Sequence, residues 1–389
     1  MASEWPLAVS TWGEEEKAAV MATLEAGAFT MGARTAAFEA AFAAFVGSRF
    51  AVMVNSGSSA NLLAVAALRY AKAGLLPPGS EVIVPAVSWS TTYFPFQQYG
   101  CRLKFVDVDA GTLNYDLAAL RSAISPATRC LVLVNLLGNP NNYDAIADLL
   151  QGLDVVVVED NCESLGARFG SKAAGTFGIL GTFSCFFSHH ICTIEGGVVV
   201  TDDAELHQLL LCMRSHGWTR HLPAENLLTT KSDDDFQESF RFILPGYNLR
   251  PLELSAAAGL EQLKKLPSFL AQRRANARLF QLLFQDDAHL SIQVVTEGAE
   301  SSWASFAVIL LAGTDRAPVL TALRNSHIEV RPVVAGNFLR QPAINHCEHS
   351  VHAGLPNAEH LHEHGFYLGN SHRDLSEQIR LVAHVVEEK

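Results

Sequence analysis

Four stretches, EVIVPAVSW (81–89), KFVDVD (104–109), CLVLVNLLG (130–138) and DVVVVED (154–160), are nearly continuous in Val, Ile and Leu and lie about one helix apart. A strand with one wet face alternates apolar and polar residues, whereas a run that is apolar throughout must be covered on both sides. Parallel sheets meet that condition, because each crossover lays a helix on one face or the other. FAVMV (50–54), FGILGTFSCFF (177–187) and GGVVVTDD (196–203) extend the series to seven. The first part of the chain is therefore expected to be an α/β domain around a mainly parallel seven-stranded sheet.

Two helical patterns, STWGEEEKAAVMATLEAG (10–27) and TMGARTAAFEAAFAAFVG (30–47), precede the strands. The strand–helix alternation stops at GYNLRPLELSAAAGLEQLKKL (246–266), which predicts a large domain over 1–251 and a small α+β domain over 252–389. A chain of 389 residues, 49% hydrophobic and 17% charged, can supply a core to both. The net charge of -12 without a basic stripe argues against a nucleic-acid surface. No apolar run reaches membrane-spanning length and the amino end has no leader-like pattern, so a cytoplasmic location is expected. Seven dispersed cysteines without a CxxC pair read as reduced thiols, with no metal site among them.

Three features carry chemistry. NSGSSAN (55–61) lies between a strand and a helix, where free amide groups and the helix dipole favour an anion; Gly57, Ser58 and Ser59 suit a phosphate. Such turns are also common plain connectors. Asp160 ends an apolar strand, the edge at which open α/β sheets bind ligands, and it suits a protonated heteroaromatic nitrogen as well as it suits a helix cap. Trp89, just past EVIVPAVS, is placed either to stack on such a ring or to fill the core.

Together these elements resemble the large domain of a fold-type I pyridoxal-phosphate (PLP) enzyme, and more specifically the sugar aminotransferase family of the DegT/DnrJ/EryC/StrS type. VMVNSGSSANLLAVAAL, VIVPAVSWSTT, VVEDNCESLGA, EGGVVVTDD, RSHGW and GYNLRPLELSAA occur in that family's order and spacing, and the likeness covers nearly the whole chain. It implies that Gly57, Ser58 and Ser184 hold the cofactor phosphate, Trp89 covers the ring and Asp160 takes the pyridine nitrogen. Glu163 matches a position near the ring hydroxyl, and Asn248 one that reaches the neighbouring subunit's cofactor, which implies a homodimer with shared active sites. His216 and Arg220 match the edge of the site, and Arg331 a position for an α-carboxylate or part of the substrate; both arginines could equally be surface ion pairs.

The departure from the family is FSCFFSHHICTIEGG (183–197), where His189 stands at the place of the lysine that binds the cofactor covalently. Of the eight lysines only Lys172 is near in sequence, and RFGSKAAG reads as an exposed hairpin. An imidazole forms no stable imine, so the cofactor is expected to be held non-covalently and to persist in its aminated form (PMP). A histidine titrating near neutrality suits proton transfer during loss of a hydroxyl.

FFSHHICTIEGG, RSHGWTRHLP, HGFYLGN and Glu163 resemble the family members that remove the C3 hydroxyl of a GDP-linked 4-keto-6-deoxyhexose. The resemblance implies a lyase in which L-glutamate restores PMP and ammonia is released. The residues themselves do not specify the nucleotide. An aminotransferase that retains nitrogen, and a non-catalytic relative, stand as the other readings. Near the carboxyl end, NHCEHSVHAGLPNAEHLHEHG (345–365) would set His360, His362 and His364 on one strand face, expected at the mouth of the pocket rather than around a metal.

Overall fold

The computed structural model describes residues 5–311 and 313–387. The strands of the large sheet are β1 (Phe50–Val54), β2 (Glu81–Pro85), β3 (Arg102–Val106), β4 (Thr128–Val134), β5 (Val156–Asp160), β6 (Leu180–Ser184) and β7 (Gly197–Thr201). After β8 (Leu290–Ile292), β9 (Ser305–Leu310) and β10 (Val330–Arg331), a further strand, β11 (His349–Val351), returns to lie parallel to β3. The order is β1-β7-β6-β5-β4-β2-β3-β11, and β7 alone runs antiparallel to its neighbours. Seven strands were expected and eight are present. β11 is exposed at every position and pairs across 246 residues of chain, so it has no apolar run to announce it.

Both faces of the sheet are buried, as the apolar runs require. Val52 and Val54 enter one core with Val82, Val84 and Val199, while Met53, Val198 and Val200 enter another with Phe38, Phe42 and Phe183. The helices that position the site are α1 (Glu14–Glu25), α2 (Ala33–Val46), α3 (Gly57–Tyr70) and α4 (Ser90–Gln98). The smaller sheet, ordered β8-β9-β12-β10 with β12 at Gly365–Gly369, is antiparallel throughout.

The boundary read between 251 and 252 falls at the start of one 32-residue helix, α5 (Glu253–Phe284). Its first half packs on α1 and α2, whereas Ala277, Phe280 and Phe284 join the core of the smaller sheet. That core also takes Trp5, whose indole N–H donates to the Gly369 carbonyl at 2.9 Å, and Ile379 and Val382 from α7 (Ser376–Glu387). The two layers are thus pinned by α5 and by the amino-terminal segment.

Within the histidine-rich stretch, His360, His362 and His364 lie on a helix, α6 (Pro356–His364), and not on a strand. Proline at its first turn and the Asp107 carboxylate, which accepts from the amides of Asn357 and Ala358, start it. His360 and His364 lie one turn apart with ring centroids 4.6 Å apart, while His362 points elsewhere, against Gly336.

Candidate active site

Strand β1 leads into Ser56, the N-cap of α3, whose Oγ accepts from the Ser59 amide at 3.1 Å. The next residue must be glycine. A Cβ on Gly57 would stand 2.6 Å from Ser184 Cβ and 2.8 Å from Cys162 Sγ, so three strand ends converge here on a gap only a hydrogen fits. Ser58 Oγ lies 2.8 Å from Thr91 Oγ1 in the first turn of α4, which closes a small cradle of hydroxyls and amides at the dipole's positive end.

Asp160 ends β5 on the floor of the same space. Its Oδ2 accepts from Asn61 Nδ2 at 2.8 Å and Thr92 Oγ1 at 2.7 Å, and its Oδ1 from the Cys162 amide at 3.1 Å. Beneath it, the buried Glu159 accepts from Tyr143 and from the amides of Gly175, Phe177 and Gly178, which fixes the strand end. Glu163 follows on the turn and accepts the Leu137 amide at 2.9 Å through Oε2. Burial pushes its carboxyl up to about 7; the Leu137 amide opposes the shift and the nearby Asp160 charge adds to it.

His189 lies on the turn between β6 and β7. Cys185 donates to the Gly196 carbonyl and accepts from Thr193, each at 2.9 Å, and the His189 amide donates to Phe186 at 2.9 Å. The imidazole Nδ1 is buried and unpartnered within the chain. Burial drives this histidine down to about 4, against the hydrogen bond at the Ser184 backbone and the Asp160 charge. Titration near neutrality was expected, and the structure corrects it: burial keeps the ring neutral over the physiological range, with Nδ1 left without a partner. His190 turns the opposite way, 1% exposed, with Nε2 3.2 Å from the Ser302 carbonyl.

Gly57, Ser58, Trp89, Asp160, Glu163, Ser184, His189 and Arg331 line one cavity of about 490 Å³. Trp89, the residue before α4, keeps 59% of its surface exposed there and is not core. Arg331 is held by Glu329 at 2.5 Å. His216, Arg220 and Asn248 do not line the cavity. They sit together on the exposed side, where the His216 amide donates to Tyr247, Ser215 bridges Asn248, and Arg220 covers the Trp218 ring at 4.9 Å. His360, His362 and His364 do not line it either, contrary to expectation. Among the described residues no lysine lines the cavity, and Lys172 is exposed on a hairpin over Phe177.

Sequence reasoning missed Asn61, Thr92, Glu195, Tyr367 and Leu7 as parts of the site. Asn61 was legible in principle, since it lies one helical turn from Ser58 in NSGSSAN. Leu7 carries no signal, because it reaches the cavity only through the docking of the amino-terminal segment.

The model of the DegT/DnrJ/EryC1/StrS aminotransferase family matches residues 10–387. The GDP-4-keto-6-deoxy-D-mannose 3-dehydratase of Escherichia coli O55:H7 is 50% identical, covering 98% of this chain and 99% of that one. Its namesake from Yersinia pseudotuberculosis is 51% identical, covering 98% of each. A crystal structure of GDP-4-keto-6-deoxymannose-3-dehydratase with a trapped PLP-glutamate geminal diamine superposes with a TM-score of 0.96 at 50% identity, over 98% of this chain and 99% of that one. A histidine-to-asparagine mutant of that enzyme with bound GDP-perosamine gives 0.96 at 50% identity, over 98% and 100%.

Proposed function

The chain belongs to the DegT/DnrJ/EryC1/StrS aminotransferase family, and from that premise we propose that it is a PLP-dependent 3-dehydratase of GDP-4-keto-6-deoxy-D-mannose. The product is GDP-4-keto-3,6-dideoxy-D-mannose, with L-glutamate consumed to 2-oxoglutarate and ammonia released. The observation that carries this reading is the neutral His189 in a cavity where no described lysine stands.

The residues present fit the cofactor. Gly57 leaves room for a phosphate at the start of α3, with Ser58 and Ser184 at its rim, and Asp160 is aimed by Asn61 and Thr92 to receive the ring N–H. Trp89 presents an exposed face for stacking. When bound in its aminated form, the cofactor supplies the amine that captures the sugar ketone and the conjugated ring that carries the electrons of the reaction. Among the described residues no lysine lines the cavity to bond covalently to the cofactor.

His189 acts as the base, taking a proton onto its free nitrogen, and the Asp160 charge offsets part of the burial that disfavours the resulting imidazolium. It then returns that proton toward the departing C3 hydroxyl. Glu163, protonated in part at neutral pH, offers a hydrogen bond at the ring hydroxyl. Arg331 in its pair with Glu329 receives a carboxylate or a substrate anion. Over the full cycle the ketosugar loses one oxygen, glutamate becomes 2-oxoglutarate, and its nitrogen leaves as ammonia.

Asn248, His216 and Arg220, exposed on one side of the chain, complete the cavity of a second copy in a homodimer, and the enzyme works in the cytoplasm. No described helix is long and apolar enough to cross a membrane. The test is to incubate the protein with PLP, excess L-glutamate and GDP-4-keto-6-deoxymannose, and to assay ammonia and product mass. Equimolar ammonia and 2-oxoglutarate with a product lighter by one oxygen are expected; retained nitrogen would make it an aminotransferase.

A further inference from the structure

One short turn, Ser301 to Ala304, touches both sides of the candidate site without lining it. On one side the His190 ring meets the Ser302 carbonyl at 3.2 Å; a carbonyl only accepts, so Nε2 carries the hydrogen and Nδ1 is bare, buried and unpartnered within the chain. On the other side Ser302 N donates to the Gly138 carbonyl at 2.9 Å and Ala304 N to the Leu137 carbonyl at 3.0 Å. The Leu137 amide in turn holds Glu163 at 2.9 Å. Leu137 and Trp303 both carry positive φ, 54° and 48°, and a Cβ on Gly138 would lie 2.6 Å from the Trp303 amide nitrogen. Two strained segments therefore lock together at van der Waals limit, which backbone tolerates only when the surroundings over-determine it.

Behind the turn, the buried Arg273 donates to the carbonyls of Ala304 at 3.1 Å and Asn370 at 2.8 Å. The charged and titratable groups that act on His190 are Arg273, Arg274 and His189, and all three oppose its protonation, as does burial. His190 therefore stays neutral and donates one fixed hydrogen bond; it is not placed to exchange protons with substrate.

We propose that His190 is a positioning residue for the dehydration: anchored to Ser302, it fixes the backbone that presents His189 to the same turn that, through Leu137, fixes Glu163. The base and the carboxyl group, 26 residues apart in sequence, are thereby held at one separation by a shared abutment. This rests on the dehydratase reading for its kinetic consequence, but the anchor itself can be read without cofactor.

The variants are His190→Ala, which removes the donor, and His190→Gln, whose amide nitrogen can occupy the place of Nε2. In the cofactor-free protein, amide hydrogen exchange at Leu137 and across residues 186–194 is expected to rise about ten-fold or more in His190→Ala and to return to normal in His190→Gln. In the holoenzyme, ammonia release should show kcat lowered about 30- to 100-fold in His190→Ala with KM little changed, and largely recovered in His190→Gln. Unchanged Leu137 exchange in His190→Ala, or unchanged kcat, overturns the proposal. Should His190→Ala not fold, His190→Asn takes its place: its shorter amide cannot reach Ser302, so Asn equal to Gln in exchange and kcat also overturns it. Wild-type protein that releases no ammonia sinks the dehydratase reading instead, and the exchange result then still decides the anchor.

Discussion

The Asn61 side-chain amide donates to Asp160 Oδ2 at 2.8 Å, while the Thr182 hydroxyl donates to the Asn61 carbonyl at 2.5 Å. Asn61 is therefore the link that orients the floor carboxylate against β6. Asn61→Leu leaves the Thr182 hydroxyl only its longer bond to the Glu159 carbonyl, at 3.3 Å, and takes one donor from Asp160. A loss of about 1–2 kcal/mol in stability of the cofactor-free protein is expected, with PLP affinity weakened about ten-fold. Denaturant unfolding and an absorbance titration with PLP measure the two; unchanged affinity would mean that Thr92 and the Cys162 amide suffice to aim the carboxylate.

Gly57 offers a sharper test of the cradle. Its absent Cβ would meet Ser184 Cβ at 2.6 Å, so Gly57→Ala forces apart the two chain segments that converge on the phosphate position. Overpacking of this kind costs about 1–3 kcal/mol, and the same strain at the phosphate position should lower PLP affinity about 5- to 150-fold. Adding Ser184→Gly removes the first of the close contacts and should recover part of the stability. Failure of the second change to help would place the strain at Cys162 instead.

Glu163 makes stability depend on pH in a direction opposite to an ordinary salt-bridged carboxylate. Its folded-state value, raised to about 7, exceeds the unfolded one, so the folded protein holds this proton more tightly. The contribution is full below about pH 4.5 and is lost as pH rises through 7. Glu163→Gln lacks it, so the variant should gain on wild type between pH 4 and 8 by on the order of 2 kcal/mol, less than the full linkage value because the side chain retains some solvent contact. Parallel unfolding curves at all pH values would show that the carboxyl is not perturbed.

Much of this site was legible in the residues because it is local. NSGSSAN and the end of DVVVVED put Gly57, Ser58 and Asp160 at strand ends by strand–turn–helix grammar, while their expected roles, like the positions of His189 and Glu163, follow from the family resemblance. What was not legible depends on burial and on distant pairing. The value of about 4 for His189 comes from desolvation that no spacing encodes, and Ser302 meets His190 across 112 residues. The histidine-rich stretch misled because alternate histidines suggest a strand, while the proline at 356 and the Asp107 carboxylate that start the helix act from the backbone and from elsewhere in the chain.

The same two titrations should bound the rate. A protonated His189 cannot accept a proton, and burial holds its value near 4, so kcat/KM should stay level as pH falls through 6.5 and drop only on approaching 4. On the alkaline side, loss of the Glu163 proton near 7 should lower the rate, and Glu163→Gln should remove that limb while leaving the acid one. An acid limb near 6.5 would show that the histidine titrates as if exposed.

The last prediction concerns what the histidine prevents. His189→Lys puts a primary amine on the turn between β6 and β7, in a buried setting that lowers the charge on the amine and so favours attack on the cofactor aldehyde. The cofactor should then become covalently attached, visible as a mass increase of the protein after borohydride reduction, which the wild type should not show. The lysine also competes with the amine that captures the sugar ketone, and it replaces a neutral base by a group that is consumed in bonding. Ammonia release should fall about 100-fold or more, in the range expected for removing a general base. Covalent attachment together with undiminished ammonia release would show that some other residue moves the proton, and Glu163 would be the first to examine, since its carboxyl lines the same cavity.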